Sequence, residues 1–302
     1  MAFFLNTIFG SIMSICITVL VTLAITLIFK TSYTTNFAQG VISAFGAYVV
    51  ASLLNSAGVN IWAAVPIGIL ASIAIAVFID VVIFRHGRYV NAVGKQIITM
   101  GILSLIMGVI PLIFGNPVSI PFEKFSDEVL SFSVGGKDVS VTVNALICAG
   151  ITVVIVTVIF VLLKYSKWGL SVRATASNEF VAGMMGMNTH VVTAISWGVA
   201  GALGALAASM YAGTTALSSY FMTTYQVNAF LAGILGGFAS FHGPIIAAVI
   251  IPLVSNLIVW FGNAVGVPEL TGWAQVIVYA LILVVIFFRP NGIFGKRIAK
   301  KV

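Results

Sequence analysis

The chain has 302 residues, of which only 14 are Lys or Arg and 7 are Asp or Glu, while 61% are hydrophobic. A mean hydropathy of +1.17 and long stretches without charge exclude an ordinary soluble domain and make lipid the expected solvent. The net charge of +7 does not signal nucleic acid, because the basic residues sit in short loops between apolar runs and form no recognition motif.

No charged residue occurs in 2–29, 96–122, 139–163, 190–268 or 270–288. A helix needs about 20 apolar residues to cross about 30 Å of hydrocarbon, and each of these runs has room for one or more such spans or nearly so. Helix is expected because lipid offers no partner for unpaired backbone, and the alternation of a spanning β-barrel is absent. The first run has no basic residue ahead of it and reads as a retained span, not a cleaved signal peptide. After Lys30, the stretch TNFAQG at 35–40 places Asn36, Phe37 and Gln39 beside Gly40 at the edge of the next run. Unwound backbone there can line a cavity, or the residues can form a loop and helix cap; both readings stand. Asp80 lies near Arg85 at helical spacing and reads as an interfacial, paired or snorkelling carboxylate before a proton relay.

A basic loop (Arg85, Arg88, Lys95) precedes crossings near 96–115 and 141–163, which flank a segment at 116–142 rich in acid: Glu123, Asp127, Glu128 and Asp138 against Lys124 and Lys137. Its FSVGGKDVSV alternates about Gly135-Gly136 as a short hairpin would. A second basic stretch (Lys164, Lys167, Arg173) opens the segment 164–190. In WGVAGALGALAASMYAG at 197–213, Ala200, Gly204, Ala208 and Ala212 recur at every fourth position, giving a nearly bare helix face that another helix can approach. In-chain packing, a seam between permeases and the wall of a passage all fit that face. Gly233 with Gly237 is a smaller instance. Residues 213–226 are too polar for a clean span, and 230–262 is interrupted at 240–244.

The basic loops and the tail 289–302, with Arg289, Lys296, Arg297, Lys300 and Lys301, belong in the cytoplasm, and the acidic segment and Glu269 outside. The expected fold is a single transmembrane domain over 1–302, an all-α polytopic membrane protein. It should have about nine spans (8 to 10), some broken or half-length, with the N-terminus outside and the C-terminus cytoplasmic. No HExxH, GxSxG, carboxylate cluster or phosphate loop occurs, and His86, His190 and His242 are far apart. The chain is therefore not expected to be an enzyme, nor to hold a metal or cofactor, and Cys16 and Cys148 lie in apolar runs.

Four segments carry a family resemblance: TNFAQGVISAFGAYV (35–49), SKWGLSVRATASNEFVAGMMGMNTHVV (166–192), FLAGILGGFASFHGPIIAAVI (230–250) and RPNGIFGK (289–296). The chain is similar to the membrane permeases of bacterial branched-chain amino acid ABC importers, with a type II-like fold in the cytoplasmic (inner) membrane. The resemblance implies a coupling helix at 177–187 that docks on an ATPase. Ala182, Gly186 and Asn188 match its Ala, then Gly-x-Asn pattern, and Ser177, Glu179, Gly183 and Met187 accompany them. Gly233, Gly236 and Gly237 join Asn36, Phe37, Gln39 and Gly40 as expected pathway residues. The implied partners are a second, homologous permease, two cytoplasmic ATPases carrying ATP and Mg, and an extracytoplasmic binding protein. Relatives often read NFAHGE where this chain has Gln39 and Val41, which leaves the solute open among branched-chain amino acids, urea, amides and carboxylates. A stand-alone ion-coupled carrier or channel is the other class of reading.

Overall fold

The computed structural model describes residues 2–87, 90–115, 122–134 and 137–295. Arg88, Gly135, Gly136, the first residues of the external segment from Asn116, and the tail from Lys296 onward lie outside the described residues. Among the described residues, eight helices are long and apolar enough to cross a membrane. They are α1 (Ala2–Ser32), α2 (Gln39–Ala57), α3 (Ile61–Phe78, continued by a π-helical stretch Ile79–Phe84), α4 (Ala92–Phe114), α5 (Val143–Tyr165), α8 (Thr189–Ala212), α10 (His242–Val265) and α11 (Leu270–Phe288). The short α6 (Lys167–Ser177) and α7 (Glu179–Met184) fill the connection between α5 and α8. A ninth passage is made in two pieces, by the irregular stretch 213–222 and the 14-residue α9 (Thr223–Gly236). Gly213 lies against Glu123 and Lys124 at one end of this passage and Gly237 against Asn291 and Gly295 at the other, so the start of α1 and the end of α11 lie on opposite faces.

Burial sorts the helices. Over an 18-residue apolar stretch of each helix, 72%, 67% and 56% of the residues of α1, α8 and α2 are buried, against only 22%, 22% and 17% in α4, α5 and α11. The first group forms the interior, and the second shows lipid its Leu, Val, Ile and Phe side chains, as a helix apolar all round must. No hydrophobic drive exists between helices in lipid, so close backbone approach has to supply the cohesion. The small-residue face of α8 meets this need inside the chain: Ala200 and Ala208 are wholly buried, Ala212 nearly so, and Gly204 faces Ser43 and Gln39 of α2. On the adjoining row a Cβ at Gly201 would stand 2.6 Å from the Ser72 carbonyl oxygen of α3, and one at Gly46 would stand 2.7 Å from Ala205.

On the acidic face, β1 (Val129–Val134) and β2 (Lys137–Thr142) pair antiparallel, with Val134 opposite Lys137 and Val129 opposite Thr142. Asn6, near the start of α1, holds this hairpin by donating to the Asp138 carbonyl at 3.2 Å and accepting from the Ser140 amide at 2.9 Å. Cys16 and Cys148 are buried free thiols.

Gly201→Val should abolish a monodisperse fold, because the added methyls meet backbone that cannot yield. Overpacking of this kind costs typically 1–3 kcal/mol or more. Gly101→Val, at an α4 position with open space around it, should leave the fold intact. Fluorescence-detected size exclusion and thermal unfolding in detergent read both.

Candidate functional site

The chain leaves α1 at Ser32 and re-enters the bundle as an irregular strand before α2 begins. Tyr33, the one described non-glycine residue with positive φ (49°), makes the turn. The next residues dive inward: the Phe37 amide donates to Thr99 Oγ1 of α4 at 3.2 Å, and Gln39 Nε2 donates to the Ala200 carbonyl of α8 at 2.9 Å. Ala200 lies midway along α8, so α2 starts near the centre of the bundle. Asn36 folds the approach. Its Oδ1 accepts from the Ala38 amide at 3.0 Å, and its Nδ2 donates to Gln39 Oε1 at 3.2 Å. The alternation of turn-forming and buried-amide bonds satisfies backbone that lipid would leave unpaired.

A residue not foreseen from sequence closes this site. Gln226, one turn into α9, accepts the Gly40 amide on Oε1 and donates from Nε2 to the Phe37 carbonyl at 2.7 Å. Its carboxamide thus bridges both sides of the break, and a side chain at Gly40 would overlap it. Alongside, the rings of Phe37 and Phe230 lie 5.0 Å apart. Together these groups form a cluster of amides and aromatic rings without a charge. Beside it lies a cavity of about 240 Å³ lined by Gly40, Val41, Leu103, Met107, Tyr220 and Gln226 among others, with no Asp, Glu, Lys, Arg or His in the lining. That volume is roughly eight times the share of a liquid water molecule. The signal for Gln226 in sequence was a lone amide in a stretch judged too polar to span. A second neutral network sits deeper on α9, where Asn228 Oδ1 accepts from Gln275 at 3.0 Å and from the Tyr279 hydroxyl at 2.9 Å.

The glycines of α9 each allow a close approach. A Cβ at Gly233 would overlap Phe238, one at Gly236 would meet the backbone of Gly243, and one at Gly237 would stand 2.6 Å from the Asn291 carbonyl oxygen. Gly237 adopts a left-handed φ of 83° and ends the helix. The Ile293 amide donates to the Leu235 carbonyl at 2.8 Å, so the RPNGIFG stretch seats on the end of α9. Lys30 ties in the same turn by donating to the Ala239 carbonyl at 2.5 Å.

The 164–190 segment departs from the expected single helix at 177–187. Ser177 ends α6, and Asn178 breaks the chain with extended backbone and caps α7 by accepting the Val181 amide at 3.1 Å. Gly186, at φ 84°, closes α7 while the Met187 amide donates back to the Ala182 carbonyl at 3.1 Å, a Schellman-like ending. Asn188 then caps α8 through the Val191 amide. Ala182 is buried and faces its own chain, whereas Gly183 and Gly186 have open space around them. Missed from sequence was the apolar ridge beside them, with Phe180 73%, Met184 65% and Met185 77% exposed. Another missed residue joins this segment to that cluster: the Tyr33 hydroxyl donates to the Ala176 carbonyl of α6 at 2.5 Å. Glu179 and His190 line a narrow polar crevice with Asp80, Arg85 and Lys95. Asp80 is buried and accepts from Thr193 Oγ1 at 3.2 Å. Its position follows from the π-helical turn, in which the Arg85 amide reaches the Asp80 carbonyl, an insertion that frequently marks functional helices.

Comparison with known proteins now adds a decisive observation, a match of residues 7–286 to the family described as branched-chain amino acid transport system / permease component. The chain belongs to that family. It is a multi-pass inner-membrane permease, the membrane subunit of an ABC importer. Among its relatives is the high-affinity branched-chain amino acid transport system permease protein LivH of Salmonella typhimurium, 25% identical over 88% of this chain and 87% of that protein. A probable LivH of Methanocaldococcus jannaschii is 24% identical over 95% and 91%. The ribose import permease protein RbsC of Haemophilus influenzae is 24% identical over 87% and 78%. In fold, the permease is similar to a chain of PsaBC from Streptococcus pneumoniae solved in complex with Fab, with a TM-score of 0.55 and 14% identity, covering 93% of this chain and 91% of that one.

Replacing Gln226 by Leu keeps its bulk and orphans both the Gly40 amide and the Phe37 carbonyl. A buried unsatisfied group costs about 1–3 kcal/mol, so the thermal midpoint in detergent should fall by several degrees. An unchanged midpoint would remove the bridge as a structural tie.

Proposed function

We propose that this permease conducts branched-chain amino acids or closely related small neutral solutes, and that the break at 33–40 is its inner gate. The observation that carries this reading is the uncharged, part-aliphatic cavity beside the Gln226 bridge. Val41, Leu103 and Met107 offer an apolar side chain its surroundings, while the amide and hydroxyl groups opposite offer hydrogen bonds. A solute with net charge would find no counter-ion there. Gln226 Oε1 rests on the N-terminal amide of α2, where helix ends favour negative charge. In the open state a solute carboxylate takes that place, as half-helix N-termini do for anionic groups in other transporters.

The family assignment supports partners of a general kind; their specific form is our reading. A second, homologous permease completes the pathway, and an extracytoplasmic binding protein delivers solute to the hairpin face. Two cytoplasmic ATPases, holding the ATP and Mg that this chain does not bind itself, grip the ridge of Phe180, Met184 and Met185. An exposed apolar patch on a polar face suits such docking. The lever then has a physical course. Displacement of α6 and α7 pulls the Ala176 carbonyl, Tyr33 follows through its hydroxyl, and the 33–38 strand shifts Phe37 and Asn36 away from Gln226. Mechanistically this is alternating access by rigid elements around a fixed site.

The ribose permease among the relatives supports a second solute class, since the same hydroxyl and amide groups suit a sugar. Proteoliposomes holding the assembled importer separate the two. Leucine uptake competed by isoleucine and valine but not by ribose is the expected result, and preferential ribose uptake would overturn the solute assignment. The permease chain alone should pass neither solute, and flux without ATPases would overturn the importer mechanism in favour of a carrier or channel.

Two variants test the lever. Tyr33→Phe should leave ATP hydrolysis in place and lower uptake roughly fivefold, the effect of one lost hydrogen bond at about 1 kcal/mol. Gly186→Leu should uncouple hydrolysis from uptake by straining the left-handed turn that ends α7, and unchanged coupling would remove the docking role.

A further inference from the structure

Between the cytoplasmic half of α5, the start of α10 and Arg173 of α6 lies an open groove of about 600 Å³ that the transport mechanism does not use. Val156, Phe160 and Val161 form its membrane-side wall, and Lys164, Arg173 and His242 form its mouth. All three mouth residues are exposed, and no carboxylate lines the groove. Both helix ends that frame it, Tyr165 and His242, lie at the level where basic and aromatic residues meet the membrane surface. Lys30 adds a further positive charge nearby, its ammonium 5.1 Å from the centre of the Phe241 ring, which lines the same groove.

We infer that this groove is a binding site for one anionic phospholipid of the cytoplasmic leaflet, its acyl chain along α5 and its phosphate between Lys164, Arg173 and His242. Charge complementarity selects the occupant. A second copy of this chain seated there by twofold symmetry would set these cations against themselves, and a zwitterionic lipid would bring a cation of its own. Basic pockets between helices on this side of a membrane hold acidic headgroups. The mouth is also held in shape. Arg173 Nη1 donates to the carbonyls of Leu163 and Lys164, fixing the guanidinium at the turn between α5 and α6, and the His242 ring lies 4.8 Å from that of Phe160. Because Arg173 lies on α6, the lipid would tie the start of that helix to the end of α5.

Native mass spectrometry of the full chain released from phosphatidylcholine nanodiscs, with and without phosphatidylglycerol, tests the site. One phosphatidylglycerol should be retained per chain in preference to phosphatidylcholine. Lys164→Gln should lower that retention about fivefold, and Val161→Trp, which fills the groove and leaves its charges alone, should remove it. Equal retention of the two lipids, or retention unchanged in both variants, would overturn the proposal. Displacement by inorganic phosphate or glycerophosphoglycerol would also overturn it, by reducing the site to a phosphate contact. So would crosslinking of Val161→Cys to the partner permease in the assembled importer, which would show the groove covered by protein.

Discussion

The bare face of α8 is the constraint from which the rest of the molecule follows. Gly201 and Gly204 let the backbones of α3 and α2 approach where any side chain would overlap. Only at that separation does Gln39 reach the Ala200 carbonyl, and only then can α2 begin in mid-bundle with its first turn satisfied. Lipid forbids an unpaired helix start at that depth. The small residues and the buried amides are therefore two halves of one solution, one providing the distance and the other the bonds.

That solution also explains why the cluster at the start of α2 is made of neutral groups. Asn36, Gln39 and Gln226 each carry a donor and an acceptor, and so can bond to broken backbone from either side. A carboxylate or ammonium at the same place would need a counter-charge, and none lines the cavity. Charge is instead kept to the ends of the bundle, where Asp80, Arg85 and Lys95 share a crevice with the start of α8.

Much of this was legible in the residues. Charge-free runs gave the passages, the sign of the loops gave their direction, and alternation about a Gly-Gly pair pointed to the hairpin. Asn36, Gln39 and Gly40 stood out because polar residues beside a glycine are unusual at the edge of an apolar run. What could not be read was whatever depends on partners distant in sequence. Gln226 becomes meaningful only against Gly40 and Phe37, 186 and 189 positions away. The hydroxyl of Tyr33 likewise has a role only once α6 is laid beside it. The glycines of α9 were only half legible for a related reason. A glycine signals close approach but not its object, and for Gly233, Gly236 and Gly237 the neighbours are Phe238, Gly243 and Asn291. At 177–187, family pattern suggested one helix where Asn178 and Gly186 cut the chain into caps and turns.

The first helix carries a consequence of its own. Over its 31 residues, about 46 Å at 1.5 Å per residue, α1 holds neither proline nor any break. Its outer end is pinned to the hairpin by Asn6, and its inner end passes directly into Tyr33. A stiff rod fastened at both ends cannot be loaded at one without the other taking up the strain. A load placed on the hairpin is therefore borne by the same rod that ends beside Tyr33, so the two faces of the bundle are joined mechanically through α1 itself.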